Sequence, residues 1–273
     1  MEIKELFEII NVCGGSTNPQ KYAKELLVKI KAVQQAYPNA LHQFRKSKEQ
    51  GDFRGRVLEI NFLNQFLLYG VKLKYPDKQN RSGDIDFSWD LLNHKLFIEC
   101  KLLREANIVN PDETSDIVRL QRDILAKAST KKFNPFPSKN WINLICVDVS
   151  ELNFGLFDQH DCILTVNGNS GLPLQSFEMA SRREILGIFE DFSKISLDQN
   201  NIDIIKKEVH KTQDVEHHQS TYIHGVLFLF REPSEKSALS YELRCFLVWN
   251  DNLIHKDIAK EISSEIYRAI PKK

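Results

Sequence analysis

The sequence predicts an α/β fold with a central mixed β-sheet flanked by helices, and three observations lead to this prediction. An almost continuously apolar run at residues 56–69, ended by Gly70, is typical of a buried helix with a glycine stop. The apolar segments IDFSW and KLFIECKLL flank the turn-prone Asn93-His94 and predict an antiparallel hairpin. Apolar residues recur at helical spacing over residues 114–131, which predicts a helix, and the strand-like segment WINLICVDVS follows it. Helix, hairpin, helix and strand in this order favour an α/β unit.

Further helices and strands are predicted before and after this unit in the chain. Residues 1–52 are interpreted as a helical N-terminal region, in which apolar residues recur at helical spacing from residue 17 and Pro38 divides the run into two helices. Residues 71–75 resemble a short strand. Beyond the unit, the pattern predicts a helix at 177–193, strands at 222–230 and 241–249, and a final helix at 254–269.

Composition limits the classes of function. The 273 residues are 42% hydrophobic and 27% charged, which suits a globular chain with a sizeable core. Lys plus Arg equals Asp plus Glu at 37 each, so binding to a polyanion would depend on local patches.

Five scattered cysteines without a Cys-x-x-Cys pair indicate a reducing, cytoplasmic compartment and no structural zinc. No signal peptide or membrane span is predicted, so no membrane partner is expected.

Two charges interrupt the second hairpin strand. Glu99 and Lys101 stand two residues apart, so both project from one face, while Ile98, Cys100 and Leu102 project from the other. A charge buried in a sheet is costly unless it is paired or coordinates an ion. The alternatives are a salt bridge between Glu99 and Lys101 and a functional site.

Further carboxylates favour the functional site. The hairpin is expected to fold Asp86 back toward Glu99, with Asp84 as the alternative and Asp77, in a polar loop, as a weaker one. Glu59 adds a carboxylate from the apolar helix. Magnesium prefers oxygen ligands and is held by one or two carboxylates plus waters and phosphate. Asp86 and Glu99 are therefore predicted to bind Mg²⁺, which Mn²⁺ can replace, together with the backbone carbonyl of Cys100; Glu59 is a further candidate ligand.

This arrangement is suited to phosphodiester hydrolysis. A bound divalent ion lowers the pKa of a water and neutralises charge on the phosphate, while Lys101 would orient that water or stabilise the developing charge. Asp86, Glu99, Lys101 and Glu59 are the predicted catalytic residues.

These residues resemble the hallmark of the PD-(D/E)xK nucleases, a restriction endonuclease-like superfamily in which an Asp is followed, ten to twenty residues later, by Glu-x-Lys. The matching segments are Gly83-Asp84-Ile85-Asp86-Phe87 and Ile98-Glu99-Cys100-Lys101-Leu102. Ile85 stands where the family's proline would precede the aspartate. The resemblance implies a nuclease-like domain at 53–273, with its core at 53–150 and a C-terminal elaboration at 151–273, and a glutamate on the preceding helix, here Glu59.

Basic residues next to this core indicate where nucleic acid would lie. Residues 21–56 hold nine Lys or Arg against three acidic residues. Arg54, Arg56, Lys46 and Lys48 are the candidates for phosphate contacts, which set affinity without reading sequence. In similar enzymes the helix after the hairpin also carries a polar residue near the site, which points to Gln121 or Lys127. A solvated helix surface is the alternative for all of these positions.

Two other groups of polar residues contain metal-ligand types but are not predicted to bind a metal. Asp158, His160 and Asp161 are interpreted as neighbours in a loop, which makes a shared ion difficult to coordinate, and Glu216-His217-His218 as a solvent-facing segment.

The sequence thus favours a magnesium-dependent DNA endonuclease of restriction, anti-phage defence or repair. The alternatives are a nuclease-fold subunit that binds nucleic acid or assembles within a larger complex, and an RNA-cleaving nuclease. The resemblance favours DNA over RNA and is compatible with a homodimer or a partner subunit.

Overall fold

The computed structural model of the protein describes residues 2–13, 19–38, 50–75, 77–78, 84–103, 116–127, 133, 140–150, 152, 157–168, 187–189, 223–234 and 237–273. Its helices are α1 (Ile3–Cys13), α2 (Pro19–Ala36), α3 (Gln50–Leu68), α4 (Asp116–Lys127), α5 (Gln159–Asn167) and α6 (Lys256–Ala269). Its strands are β1 (Asp77–Lys78), β2 (Asp84–Ile85), β3 (Phe87–Leu91), β4 (His94–Leu102), β5 (Trp141–Asp148), β6 (Gly225–Ser234) and β7 (Ser237–Trp249).

Five strands form one mixed sheet in the order β3-β4-β5-β6-β7. The central strands β4, β5 and β6 are parallel, and the outer strands β3 and β7 pair with them in antiparallel fashion. Strands β1 and β2 form a separate two-stranded ladder. The predicted mixed sheet flanked by helices is therefore confirmed.

Helices cover both faces of this sheet. Side chains alternate along β5, so that Leu144 and Cys146 join the core under α1, α2, α3 and α6, whereas Ile145 and Val147 join the core under α4 and α5. This period of two is what a strand buried on both faces requires. The sheet is consequently the middle of three layers, and helices α1 and α2 of the N-terminal region pack in the same core as α3.

Several predicted elements are present close to their expected bounds. Helix α3 ends before Gly70, whose φ of +75° lies in the left-handed region that favours glycine. Helices α4 and α6 and the antiparallel pair β6–β7 also lie where the pattern places them. Helix α2 ends at Ala36, before Pro38.

Local details differ from the predictions. The polar composition around Asp77 predicts a loop. In the structure Asp77 instead lies in strand β1, which forms a two-residue ladder with β2 and pairs Asp77 with Ile85. Residues 71–75 form no strand beyond a single bridge from Lys74 to Ser88. The hairpin turn lies at residues 92–93, one position earlier than predicted, and gives Leu92 a φ of 54°.

Some predictions fall on residues outside the described ranges. These include the second helix after Pro38, Lys46, Lys48 and residues 216–218. Of the predicted helix at 177–193, only residues 187–189 are described, and they include a turn.

The described helices include none that combines the length and apolar character needed to cross a membrane. Four cysteines, Cys100, Cys146, Cys162 and Cys245, are buried free thiols.

Candidate functional site

The site lies toward the carboxyl ends of the parallel strands, where β4 carries Glu99 and Lys101. Residue Asp86 directly precedes β3, in which Phe87 pairs with Ile98 of β4. The backbone N–H of Cys100 donates a hydrogen bond of 2.8 Å to Oδ2 of Asp86. This bond holds the aspartate against the strand that carries Glu99, as the predicted hairpin requires.

Glu99 is the most deeply buried charged group of the site. Its side chain is 0% exposed, and its Oε1 lies 2.6 Å from Nζ of Lys127 on α4. Burial opposes the charge of this lysine, but the carboxylates of Glu99 and Asp86 raise the pKa of Lys127 above its ordinary value. Lys127 is therefore a charged neighbour of both carboxylates.

Lys101 also faces α4. Its Nζ lies 3.7 Å from Oδ2 of Asp123, and its side chain is 34% exposed. Glu99 and Lys101 thus each have a partner of opposite sign on α4, Glu99 in Lys127 and Lys101 in Asp123. Glu99 and Lys101 therefore lie on the same face of β4, as predicted. Each is paired with a residue of α4, whereas the alternative had them paired with each other.

Glu59 belongs to α3, on the opposite face of the sheet from α4. Its Oε1 lies 2.6 Å from Nη1 of Arg56, and its Oε2 accepts a hydrogen bond of 2.9 Å from the hydroxyl of Tyr75. Burial and the negative charge of Asp86 raise the pKa of Glu59 to about 7, against the opposing influence of Arg56 and Tyr75. The charge of Asp86 thus acts on both Glu59 and Lys127, which belong to helices on opposite faces of the sheet.

The carboxylates are not all brought to one point. Within the described ranges, no three side chains of His, Cys, Asp or Glu are grouped so that they could hold a metal ion together. The predicted convergence of Glu59, Asp86 and Glu99 on one ion is thus not formed. The two carboxylates on the hairpin, Asp86 and Glu99, are the pair that could hold a cation.

Two further ligands were predicted: Asp84, as the alternative to Asp86, and the backbone carbonyl of Cys100. Asp84 lies in β2, where its backbone pairs with Lys78. The carbonyl oxygen of Cys100 belongs to a strand whose register pairs Cys100 with Cys146 of β5. Coordination by either group stays a prediction.

Within the described ranges, the residues predicted to contact nucleic acid each interact with a different neighbour in the protein. Arg56 is engaged by Glu59, and Lys127 by Glu99. Burial raises the pKa of Tyr22 to about 12, and the positive charge of the nearby Arg54 opposes this rise. Gln121 donates a hydrogen bond of 2.9 Å to the carbonyl of Thr165 on α5 and is 0% exposed, so contact with a phosphate backbone would require the side chain to move.

Three polar residues set aside as loop neighbours form a helix start. Asp158 is the N-cap of α5, and its carboxylate accepts hydrogen bonds from the N–H groups of His160 and Asp161. The side chain of Asp161 accepts a reciprocal bond from the N–H of Asp158. The loop assignment was wrong, and these carboxylates stabilise a helix terminus.

Two residues of the site were missed from the sequence. Asp123 stands four residues before Lys127, a spacing that places both on one side of a helix, and this signal was readable. Tyr75 follows no motif, and only the packed structure brings its hydroxyl to Glu59.

Comparison of the chain with protein-family models, with curated proteins and with solved structures gave no match.

Proposed function

We propose that this protein is a magnesium-dependent nuclease of the PD-(D/E)xK type that hydrolyses phosphodiester bonds in DNA. The observation that carries the proposal is the position of two carboxylate residues, Asp86 and Glu99, at the hairpin. Asp86 is held by the N–H of Cys100, next to the fully buried Glu99, and Lys101 follows on the same strand face. The order helix, hairpin, helix and strand that the resemblance implies is present in α3, β3–β4, α4 and β5.

The donor set fits magnesium by its chemistry. Asp86 and Glu99 offer only carboxylate oxygens, the ligands that hard cations prefer, and magnesium is commonly held by one or two carboxylates with waters and substrate phosphate. A bound magnesium ion would lower the pKa of a water and neutralise charge on the phosphate. Two protein carboxylates at this position are therefore sufficient for the proposed site.

The chain's own residues supply the remaining functions. The N–H of Cys100 orients the Asp86 carboxylate. Lys101 is 34% exposed, so its ammonium reaches the open side of the site, where it can orient a water or stabilise the charge of a pentacovalent phosphate. Arg54 and Arg56 lie on α3, the helix that carries Glu59, and would contact the phosphate backbone.

DNA is the proposed substrate because the resemblance favours it, and restriction, anti-phage defence or repair are the corresponding roles. A cytoplasmic location and assembly as a homodimer or with a partner subunit belong to the same proposal. An RNA-cleaving enzyme and a binding subunit without cleavage are the alternatives that the following experiment separates.

The test compares cleavage by the wild type with that by Asp86→Asn, Glu99→Gln and Lys101→Ala. Plasmid, linear duplex DNA, single-stranded DNA and RNA are incubated with each form in Mg²⁺ or Mn²⁺. We expect the wild type to cleave DNA, and each variant to lose at least about a hundredfold in rate, because electrostatic groups at a reacting phosphate contribute on that order. Circular dichroism verifies that the variants are folded.

The matched controls are Asp90→Asn and Lys74→Ala. These residues form an ion pair of 2.6 Å with side chains 58% and 57% exposed. The control variants are expected to keep wild-type rates. Cleavage that survives the three site substitutions contradicts the site; cleavage of RNA alone changes the substrate; and DNA binding without cleavage by any form favours the binding subunit.

A further inference from the structure

Helix α4 meets strand β4 through two ion pairs of opposite polarity. On the strand, Glu99 precedes Lys101 by two residues, and on the helix, Asp123 precedes Lys127 by four. The Glu99–Lys127 pair is 2.6 Å long, and the Lys101–Asp123 pair is 3.7 Å long. The short pair thus engages one of the two proposed metal ligands.

Burial makes a counter-charge at Glu99 necessary for as long as this carboxylate is ionised in the folded protein. The Glu99 side chain is 0% exposed, and a buried carboxylate is strongly destabilised when it loses its counter-charge. Lys127 supplies that charge in the present structure. A divalent ion at the same carboxylate would supply it instead, and two cations on one carboxylate would repel each other.

The position of Lys127 suits an exchange. Its side chain is 29% exposed, so the ammonium has an aqueous side to which it can turn. Its helix is held independently by the buried residues Leu120, Ile124 and Leu125, which lie in the core between α4 and the sheet. Loss of the Glu99 contact therefore does not remove the helix from the site.

We propose that Lys127 occupies the metal's place on Glu99 and yields it when a divalent cation binds, so that the released ammonium becomes available to the substrate phosphate. This inference rests on the proposed function and names Lys127 as a residue that regulates entry of the metal. The exchange is purely ionic: no covalent bond forms or breaks, and the ammonium keeps its proton.

The first test measures metal affinity, not cleavage. Isothermal titration calorimetry with MgCl₂ and MnCl₂ compares the wild type with Lys127→Met at pH 8. We expect the variant to bind Mg²⁺ about tenfold more tightly, because the ion no longer competes with a charge-assisted hydrogen bond. Lys74→Met removes an equally short but exposed pair and is expected to leave affinity unchanged.

A second variant tests whether the effect is specific. Asp123→Asn weakens the other α4 contact without touching Glu99. If its metal affinity rises as much as that of Lys127→Met, a general loosening of α4 explains both results and the proposal is overturned. Unchanged or weaker binding by Lys127→Met overturns it as well.

A measurement on the wild type decides the question even where Lys127→Met fails to fold. The chain is treated with acetic anhydride with and without Mg²⁺, and acetylation of individual lysines is read by mass spectrometry. We expect modification of Lys127 to rise several-fold in Mg²⁺, with no change at Lys74. Unchanged modification in a protein that binds and uses magnesium overturns the exchange and leaves the nuclease proposal standing. Failure of the wild type to bind any divalent ion overturns both.

Discussion

At the scale of single residues, Glu59 shows how opposing influences set a charge. Arg56 and Tyr75 both contact its carboxylate and favour the ionised form, yet burial and the nearby Asp86 outweigh them. The result is a carboxyl group with a pKa of about 7, which is half protonated near neutral pH. A buried acid of this kind is common at functional sites.

The raised pKa of Glu59 predicts a pH-dependent stability. Between about pH 4.5 and 7 the folded chain binds more protons at Glu59 than the unfolded chain, so the free energy of unfolding falls as the pH rises through this window. Integrated over the window, the loss is on the order of 3 kcal/mol. Urea unfolding at pH 4.5, 6 and 8 should show this loss in the wild type and its absence in Glu59→Gln.

The matched control for this titration is Glu261→Gln, an exposed position on α6. We expect its pH profile to follow that of the wild type. If Glu59→Gln and the wild type lose stability in parallel between pH 4.5 and 8, another group is responsible for the dependence.

At the scale of elements, the hydrophobic pattern identified the helices and strands in which apolar residues recur with a regular period. The alternation in β4 revealed Glu99 and Lys101 on one face, and the periodicity of α4 located the helix that contacts them. Helix α5 was missed because Cys162, Leu164, Thr165 and Val166 are all buried, which leaves no amphipathic stripe to read.

The partners within the site were harder to predict than the elements. Lys127 and Glu99 are 28 residues apart, and their contact depends on how α4 packs on the sheet. The sequence could place each residue on an element but could not choose between pairing of Glu99 with Lys101 and pairing across to α4. Side-chain direction after packing decides that choice.

The cap of α5 allows a prediction at this scale. Asp158 accepts hydrogen bonds of 2.7 Å and 3.1 Å from the N–H groups of His160 and Asp161. Replacement by alanine leaves these donors without the carboxylate and should lower the free energy of unfolding by about 1 kcal/mol. Urea denaturation measures the change, and Asp90→Ala, at an exposed ion pair, should change stability by less than about 0.5 kcal/mol. Equal effects of the two substitutions would contradict the role of the cap.

At the scale of the whole molecule, the N-terminal helices share a core with the sheet. Ile30 of α2 is 0% exposed and belongs to the same apolar cluster as Phe62 of α3 and Leu144 of β5. All three tryptophans lie in the sheet, at Trp89, Trp141 and Trp249. Loss of helical structure and unfolding of the sheet can therefore be followed by separate probes.

We expect Ile30→Ala to destabilise the entire chain by about 2–5 kcal/mol, the usual cost of a large cavity in a core. Circular dichroism reports on the helices and tryptophan fluorescence on the sheet, and both transitions should shift together in urea. Val28→Ala, at a position of the same helix that is 70% exposed, is the control and should shift neither. A shift in circular dichroism alone would indicate that residues 1–52 unfold as a separate unit.

Helix α4 connects two neighbouring parallel strands, β4 and β5, and its apolar side is buried between them and α5. Because that apolar side is packed in the core, we expect Lys127 to leave Glu99 by turning its side chain and not by travel of the helix. Rotamer changes take picoseconds to nanoseconds, whereas magnesium gives up its water reluctantly. The rate of metal entry would then follow the chemistry of the ion, and competition from Lys127 would weaken metal binding without delaying it.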